Sequence, residues 1–421
     1  MALKLYSLLL YVLTPWVLLR LYWRGRVNPA YRQRIAERFG YVPRYDSASH
    51  GRLWVHAVSV GEVMAAVPLI RAHMASHSEL EVIVTTTTPT GAAELERQLG
   101  DEVQHHYLPY DLPGAVRRFL ERVQPDQLWV METEIWPNLL IACYQREVRV
   151  FLLNARLSPR SFRRYCRFSA LLRPVLAAVS GIAARDESDR QAFIGLGVDP
   201  AAVKVTGNIK FDLAIDPNLR EAALELRDQL GARPIWIAAS THGGEEAVVI
   251  AAHQAVLMEM PDALLVWVPR HPERFEDAAQ SLDEAGLSYV SRSAHANPTS
   301  EHQAWLIDSM GELLLMYGIA DAAFIGGSLV SAGGHNPLEA AAQQVPIITG
   351  PDIADFESIY AALEARGGAK KVADSEALAG SLLWLLANQV ARLEMITAAK
   401  EVLKANRGAV DRILSFVASR A

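Results

Sequence analysis

Glu62 is the first residue whose type and position predict chemistry. It closes the string HAVSVGE, which follows an apolar run beginning at Leu53 and leads into a helix-length segment. A carboxylate at such a corner can accept a proton from a sugar hydroxyl as that hydroxyl attacks an anomeric carbon. The alternative is a glutamate that complements the dipole of its helix, and position alone favours it. The dipole also lowers the pKa of a carboxyl group, so a base at this position needs partial desolvation to raise it.

A second acidic motif follows another apolar run. The string METEIWPN places Glu132 and Glu134 on either side of Thr133. Carboxylates at the end of a buried strand are costly unless they bind or cap something, so at least one of them is predicted to be functional. The alternative is that Thr133 or Glu134 only begins a helix running from Pro137 to Arg146.

Basic residues form two further candidate sites. Six arginines and no carboxylate occur between Arg156 and Arg173. Because guanidinium groups bind phosphate bidentately, this cluster fits an anionic acceptor or membrane surface as well as it fits a merely solvated face. Lys210, in the string GNIKFD, can stabilise negative charge on a leaving group.

The second half of the chain carries patterns typical of nucleotide binding. Gly243 and Gly244 in STHGGEE follow an apolar run, and Arg270 follows the next one directly after Pro269. Later, the string GGHNPLE combines two glycines with a helix that starts at a proline. Such a helix start offers N–H donors to a phosphate, and Glu339 in its first turn can accept hydrogen bonds from ribose hydroxyls.

These residues must be positioned by parallel sheets, because short β-rich runs alternate with helix-length segments from residue 53 onward. The predicted strands are Leu53–Val58, Val82–Thr86, Leu128–Met131, Val150–Leu153, Ile182–Ala184 and Val203–Thr206, then Ile235–Ala239, Leu264–Val268, Ala304–Ile307, Ala322–Ile325 and Ile347–Thr349. The pattern indicates an α/β fold with two doubly wound domains. A cleft between the carboxyl ends of their strands is the expected ligand site.

The first residues predict a membrane attachment. From Leu5 to Leu19 the chain has no charged residue, and several arginines follow from Arg20 onward. The length is marginal for a span, so a transmembrane helix and an interfacial helix both fit, and the arginines favour a cytosolic body. A buried core helix is the alternative. The predicted divisions are therefore a membrane-anchoring segment at 1–30, a first domain at 31–207, a linker at 208–218 and a second domain at 219–421.

Composition excludes several classes of protein. A chain of 421 residues with 51% apolar and 21% charged residues fits two folded domains. Its formal charge of −6 argues against a nucleic-acid partner. Two cysteines outside any C-x-x-C arrangement, and no D-x-D or H-E-x-x-H string, predict no metal and no other cofactor.

Taken together, the motifs resemble the bacterial Kdo transferases, which add 3-deoxy-D-manno-octulosonic acid (Kdo) to lipid A precursors. The strings that carry the resemblance are SVSVGE, METEIWPN, NARLS, KFD, STHGGEE, VPRHPERF, MGELL and GGSLVSAGGHNPLEAA, and they extend over nearly the full chain. The resemblance implies a GT-B architecture of two Rossmann-like domains. It also implies CMP-Kdo as donor, a lipid A precursor as acceptor, and a location on the cytoplasmic face of the inner membrane.

The resemblance also implies residue roles. Glu62 corresponds to the general base, and Glu132 and Lys210 correspond to residues that stabilise the transition state. The positions that correspond to the CMP site are Pro269, Arg270, Met310, Gly311, Glu312, Asn336, Pro337, Leu338 and Glu339. The expected reaction inverts the anomeric carbon in a single displacement.

Two other functions are compatible with this architecture. A nucleotide-sugar epimerase of the UDP-GlcNAc type needs no lipid acceptor, and the apolar N-terminus and the arginine cluster argue against it. A catalytically silent membrane scaffold that binds a nucleotide is disfavoured by the presence of Glu62, Glu132 and Lys210.

Overall fold

The computed structural model describes residues 1–46, 48–213 and 215–420 and divides into two compact units. The first unit comprises Met1–Asp212 together with Gly408–Ala421, and the second comprises Leu213–Arg407. The chain therefore changes unit inside the predicted linker. The prediction assigned everything after residue 218 to the second domain, whereas the segment from Gly408 belongs with the first unit.

The first unit is built on a seven-stranded parallel sheet in the order β3-β2-β1-β4-β5-β6-β7. Its strands are β1 (Arg52–His56), β2 (Glu81–Thr86), β3 (Gln104–Tyr107), β4 (Gln127–Met131), β5 (Arg149–Ala155), β6 (Gly181–Ala184) and β7 (Val203–Val205). The strand order reverses between β1 and β4, which pair directly. Ligands of doubly wound sheets bind beyond the carboxyl ends of the strands at such a reversal.

Helices cover both faces of this sheet. The first helix of the unit, α1 (Ala2–Val27), is not one of these, and the covering helices are α2 (Val60–Ser76), α3 (Pro89–Leu99), α4 (Pro113–Val123), α5 (Pro137–Tyr144), α6 (Pro159–Arg167), α7 (Ser169–Leu176) and α8 (Glu187–Gly195). Alternate strand residues enter opposite cores, so Leu128 and Val130 pack on one face while Trp129 and Met131 pack on the other. Burial on both faces explains why the central strands are continuous apolar runs.

The second unit repeats this plan with a sheet in the order β10-β11-β9-β8-β12-β13-β14, again parallel throughout. The strands are β8 (Ile235–Thr241), β9 (Leu264–Pro269), β10 (Tyr289–Ser291), β11 (Ala304–Leu306), β12 (Ala322–Ile325), β13 (Ile347–Thr349) and β14 (Ala369–Lys371). The helices are α9 (Pro217–Leu230), α10 (Glu246–Glu259), α11 (Phe275–Glu284), α12 (Leu313–Tyr317), α13 (Leu338–Ala342), α14 (Glu357–Glu364), α15 (Ser375–Ala387) and α16 (Gln389–Asn406). Here the order reverses between β8 and β12.

The last helix, α17 (Ala409–Ala418), completes the core of the first unit. Ile413 and Phe416 are buried against the same sheet face as Trp129. The helix start is capped by Asp212, whose carboxylate accepts the backbone N–H of Gly408 at 2.6 Å and of Val410 at 2.7 Å. The chain thus returns to the first unit after forming the second.

The N-terminal helix α1 is long and apolar enough to cross a membrane, and it is the one such helix in the described part of the chain. Most of its large apolar side chains are exposed, including Leu8, Val12, Trp16 and Trp23. The alternative of a buried core helix is therefore wrong. One side of α1 is nevertheless attached to the body, because Ser7 donates its hydroxyl proton to Asn138 Oδ1 at 2.8 Å.

Candidate active site

Carboxylates gather at the strand-order reversal of the first unit. Glu62 lies in the first turn of α2, directly after β1, and Glu132 and Glu134 follow β4. The charges of Glu132 and Glu134 both act on the carboxyl group of Glu62. The two acidic motifs, 70 positions apart in the sequence, therefore form one cluster at the carboxyl edge of the sheet.

The carboxylate of Glu62 accepts hydrogen bonds at the start of α2, and its pKa is shifted as well. Its Oε2 accepts the backbone N–H of Val58 at 2.8 Å, and its Oε1 accepts the hydroxyl of Ser59 at 3.3 Å. These bonds stabilise the start of α2, which is the role that the position of Glu62 alone favoured. Burial nevertheless raises the pKa of Glu62 to about 8, and the neighbouring charges of Glu132 and Glu134 add to this effect. Desolvation thus outweighs the hydrogen bonds, and a carboxyl group whose pKa lies near the working pH is suited to act as a general base.

The loop after β4 is fixed by backbone contacts to β5. Glu132 has a left-handed backbone with φ of 55°, and its N–H donates to the carbonyl of Leu153 at 2.8 Å. Thr133 donates its hydroxyl proton to the carbonyl of Arg156 and accepts the Arg156 N–H at 3.1 Å. Left-handed backbone is unfavourable for a glutamate, so these bonds are what stabilise the turn that carries Glu132. Burial and the charge of Glu132 also raise the pKa of Glu134.

The helix after this loop has a cap that the sequence analysis missed. Helix α5 begins at Pro137 as expected but ends at Tyr144 rather than Arg146. The buried carboxylate of Asp111, from the loop after β3, accepts the N–H groups of Asn138 at 3.0 Å and Leu139 at 2.7 Å. Asp111 precedes the helix start by 26 positions, so no local pattern marks it as a cap.

Lys210 lies on a turn that is also tied to this sheet. The turn is a 3-10 helix, Ile209–Asp212, and the N–H of Ile209 donates to Oδ1 of Asn154 in β5 at 3.1 Å. Asn154 is fully buried with a left-handed φ of 54°. The buried side chain of Asn154 therefore anchors the turn that carries Lys210 to the carboxyl end of β5.

The predicted nucleotide positions of the second unit lie at the ends of its strands. Pro269 is the last residue of β9, and the Arg270 N–H donates to the carbonyl of Thr241 in β8 at 3.0 Å. The positive charge of Arg270 acts on Glu339 and on His335. Arg270 and the GGHNPLE string, which begins 63 positions later, are thus brought together.

At the start of α13, one of the N–H groups expected to serve a phosphate is already engaged. The helix has only five residues, Leu338–Ala342. The N–H of Leu338 already donates to Oδ1 of Asn336 at 3.1 Å, and Pro337 has no N–H. Burial raises the pKa of Glu339, partly opposed by the amide of Asn336 and by Arg270.

The loop between β11 and α12 contains three of the predicted CMP positions, Met310, Gly311 and Glu312. Met310 is exposed, and Gly311 has a φ of 91°, a conformation that favours glycine. Glu312 forms an ion pair with Arg292 at 2.8 Å. Burial works to raise the pKa of Glu312, but hydrogen bonds from Arg292 and Ser309 outweigh it and the pKa is lowered.

The arginine cluster falls mainly on α6 and α7. Helix α6 has no buried residue, and Arg160, Arg163, Arg164 and Arg167 on it are exposed. An exposed row of guanidinium groups fits both a solvated face and an anion-binding face, so the prediction for this cluster stays open.

Comparisons with known proteins agree with the resemblance. The family model described as 3-Deoxy-D-manno-octulosonic-acid transferase (kdotransferase) matches residues 33–213. The 3-deoxy-D-manno-octulosonic acid transferase of Haemophilus influenzae is 41% identical over 98% of this chain and 97% of its own length. The chain belongs to the Kdo transferase family. It is therefore a glycosyltransferase, and the prediction from the motifs is confirmed at that level.

Solved structures support the GT-B fold of this Kdo transferase. The UDP-GlcNAc 2-epimerase of Neisseria meningitidis covers 87% of the chain and all of its own, with a TM-score of 0.61 at 15% identity. A glycosyltransferase of Rickettsia africae covers 88% of the chain and 99% of its own, with a TM-score of 0.59 at 14% identity. At such identities the likeness shows the fold alone, so the epimerase likeness does not extend to activity.

Proposed function

We propose that this chain transfers Kdo from CMP-Kdo to a lipid A precursor, with inversion at the anomeric carbon and with Glu62 as the general base. The observation that carries the proposal is the pKa of Glu62, raised to about 8 by burial at the strand-order reversal of the first unit. A base with a pKa near the working pH takes up a proton most effectively in the transition state.

The proposed reaction is a single displacement. An acceptor hydroxyl oxygen forms a bond to the anomeric carbon of Kdo while the bond from that carbon to the CMP phosphate oxygen breaks. The hydroxyl proton passes to Glu62, and the electron pair of the broken bond leaves with CMP. A single base on one face, with departure from the other, gives inversion.

Two charged residues stabilise the transition state in this scheme. The anomeric carbon has oxocarbenium character, and the carboxylate of Glu132 supplies a fixed negative charge in the same cluster as Glu62. The ammonium of Lys210 offsets negative charge on the departing phosphate. Anchoring of the Lys210 turn by Asn154 supports this role, because preorganised charges need no rearrangement during the reaction.

The second unit binds the CMP moiety of the donor. The proposed contacts are those implied by the family resemblance: Pro269, Arg270, Met310, Gly311, Glu312, Asn336, Pro337, Leu338 and Glu339. The convergence of Arg270 and Glu339 at the carboxyl edge of the sheet supports a site for a phosphate and a ribose. With Leu338 N–H already bonded, the guanidinium of Arg270 is the better candidate to bind the phosphate.

Helix α1 attaches the enzyme to the inner membrane, with the catalytic units on the cytoplasmic face. Exposed apolar side chains along α1 and arginines at its end support this attachment. The exposed arginines of α6 fit the phosphates of a lipid A precursor or of the anionic membrane surface. A lipid acceptor explains why a glycosyltransferase would carry such a helix.

Mass spectrometry of a tetra-acylated lipid A precursor incubated with the protein and CMP-Kdo tests the proposal. We expect the lipid to gain the mass of Kdo and CMP to be released in equal amount. The control omits the lipid, and there we expect the donor sugar to remain unchanged. Alteration of the donor without lipid would indicate an epimerase, and absence of any donor consumption would indicate a nucleotide-binding scaffold.

A further inference from the structure

Three histidines converge at the carboxyl edge of the second sheet. His242 follows β8, His271 follows β9, and His335 precedes α13. The rings of His242 and His335 are nearly parallel, with an interplanar angle of 17° and centroids 5.0 Å apart, and they meet end to end with their Nε2 atoms 2.8 Å apart. The ring of His271 meets that of His242 edge-on at 5.3 Å. None of the three is among the positions that the family resemblance assigns to the CMP site.

A glycine makes room for the histidine pair. Gly327, in the loop after β12, has a φ of 66°, and a Cβ added to it would lie 3.0 Å from Nε2 of His335 and 3.3 Å from Cδ2 of His242. Any side chain at this position would therefore strain the backbone and displace the rings. The loop backbone lies directly against the pair.

A buried carboxylate fixes the pair to this loop. Glu245 is fully buried and accepts four backbone N–H groups. The donors are His242 at 2.8 Å, Gly327 at 2.7 Å, Ser328 at 3.1 Å and Leu329 at 3.0 Å. Burying a carboxylate without such hydrogen bonds costs a large free energy, so the fold strongly favours keeping all four of them. The loops after β8 and β12 are thereby locked together around the rings.

The surroundings of the pair favour an anion. Burial, Arg270, His242 and His271 lower the pKa of His335 to about 3. Burial, His271, Arg270 and Arg274 also lower the pKa of His242, with Glu245 opposing them. A negative ligand beside the rings would offset both the desolvation and the repulsion from these cations.

The geometry of the pair allows it to gain a proton without breaking apart. In the neutral pair one Nε2–H donates to the other Nε2, so a single Nδ1 carries a proton. After one more proton is taken from solvent, the N–H···N bond remains and both Nδ1 atoms become donors. Two charge-assisted donors held by a rigid loop suit an acidic oxygen.

We propose that the His242–His335 pair binds an acidic oxygen of the donor, a phosphate or a sugar carboxylate, and takes up a proton as it does so. The inference rests on the proposed function for the identity of the donor. It adds a proton-linked anion subsite beside Arg270, with Glu245 as its positioning residue.

Calorimetric titration of CMP at pH 7.5, in buffers that differ in ionisation enthalpy, measures proton uptake directly. The pH is chosen because a phosphate monoester, with a second pKa of about 6, is already ionised there. We expect net proton uptake by the wild type, with an affinity that weakens as pH rises through the raised pKa of the bound pair. In His335→Asn, His335→Gln and His242→Asn, uptake should vanish and affinity should fall about tenfold, the effect of losing one charge-assisted hydrogen bond.

The matched control is His295→Asn, an exposed histidine of the same unit whose left-handed backbone asparagine also adopts. Thermal melting identifies variants that fail to fold, and the two positions provide independent tests.

Titrations with cytidine, CMP and free Kdo show which part of the donor supplies the oxygen. Uptake with CMP but not cytidine indicates the phosphate, and uptake with Kdo alone indicates the carboxylate.

Proton uptake and affinity that stay unchanged for both CMP and Kdo in all three folded variants would overturn the subsite, as would the absence of proton uptake with either ligand in the wild type. Absence of CMP binding by the wild type would instead contradict the proposed function.

Discussion

At the scale of single residues, Glu62 shows how one carboxylate combines two roles. The sequence analysis weighed a helix-start glutamate against a catalytic base, and the structure shows the hydrogen bonds of the first together with the raised pKa suited to the second. Burial decides the sign of the pKa shift. The sequence could identify this conflict but not its outcome, because burial depends on how distant segments pack.

The clustering of Glu132 and Glu134 with Glu62 leads to a prediction about pH. A base with a pKa of about 8 must lose its proton to work, so kcat/KM should fall tenfold per pH unit below about 8. Glu132→Gln and Glu134→Gln each remove a negative charge beside Glu62, so the pKa of Glu62 should fall. The acid limb of the pH–rate profile, where kcat/KM falls with decreasing pH, should therefore move to lower pH. Steady-state kinetics from pH 5.5 to 9 measure this shift.

Glu187→Gln is the control for this shift, because Glu187 is an exposed first-turn glutamate of α8 in the same unit. Its acid limb should coincide with that of the wild type. An acid limb that stays in place in both neighbouring variants would contradict the coupling within the carboxylate cluster.

At the scale of elements, prediction succeeded for the central strands and missed three of the four edge strands, with β7 as the edge strand that it found. The strands missing from the prediction are β3, β10 and β14, and each lies at an edge of its sheet. Edge strands need little apolar surface, and the string QHHY of β3 and the string AKK of β14 show this directly. Periodicity detects burial, so it cannot detect strands that are mostly defined by hydrogen bonds to one neighbour.

The hydrogen bonds that join distant loops could not be predicted from the sequence either. Glu245 is next to Glu246 in one motif, yet Glu245 is fully buried and accepts only backbone N–H groups, while Glu246 forms a partly exposed ion pair with Arg274. The partners of Glu245 in the loop after β12 lie more than 80 positions away. No local pattern distinguishes two adjacent glutamates with such different environments.

Glu245→Gln should therefore loosen the glycine-rich loop after β12. An amide NH2 replaces one carboxylate oxygen and leaves two backbone N–H groups without acceptors, at about 1–3 kcal/mol for each unsatisfied buried group. We expect a lower melting temperature, faster amide hydrogen exchange at Gly327–Leu329, and weaker CMP binding. Hydrogen exchange with mass spectrometry and calorimetry measure these effects.

Glu376→Gln, at an exposed first-turn glutamate of α15 in the same unit, is the control and should leave all three properties unchanged. Native exchange rates at the loop in the Glu245 variant would show that the carboxylate does not hold it.

At the scale of the whole molecule, the chain completes its first unit last. The prediction of two doubly wound domains was confirmed, but a sequence gives no indication of which sheet a final amphipathic helix covers. The decisive contacts are long-range, from Asp212 to the start of α17 and from Phe416 to the sheet. The sequence analysis assigned this last helical segment to the second domain, with the rest of 219–421.

A point substitution in α17 should consequently weaken the first unit. Ile413 is fully buried there, and Ile413→Ala should cost about 2–5 kcal/mol in the free energy of unfolding. CMP binding by the second unit should persist. Denaturant unfolding followed by calorimetry measures both quantities, with Asp411→Ala as an exposed control on the same helix. Loss of CMP affinity with unchanged stability would contradict the assignment of α17 to the first unit.

The central claim is that Glu62 removes the acceptor proton during Kdo transfer. The most direct measurement compares Glu62→Gln with wild type and Glu187→Gln at saturating CMP-Kdo and lipid A precursor, following the lipid product by mass spectrometry and CMP affinity by calorimetry. We predict that turnover of Glu62→Gln falls by about 10² to 10⁴ while its CMP affinity stays at the wild-type value. Turnover near the wild-type rate in that variant would contradict the account.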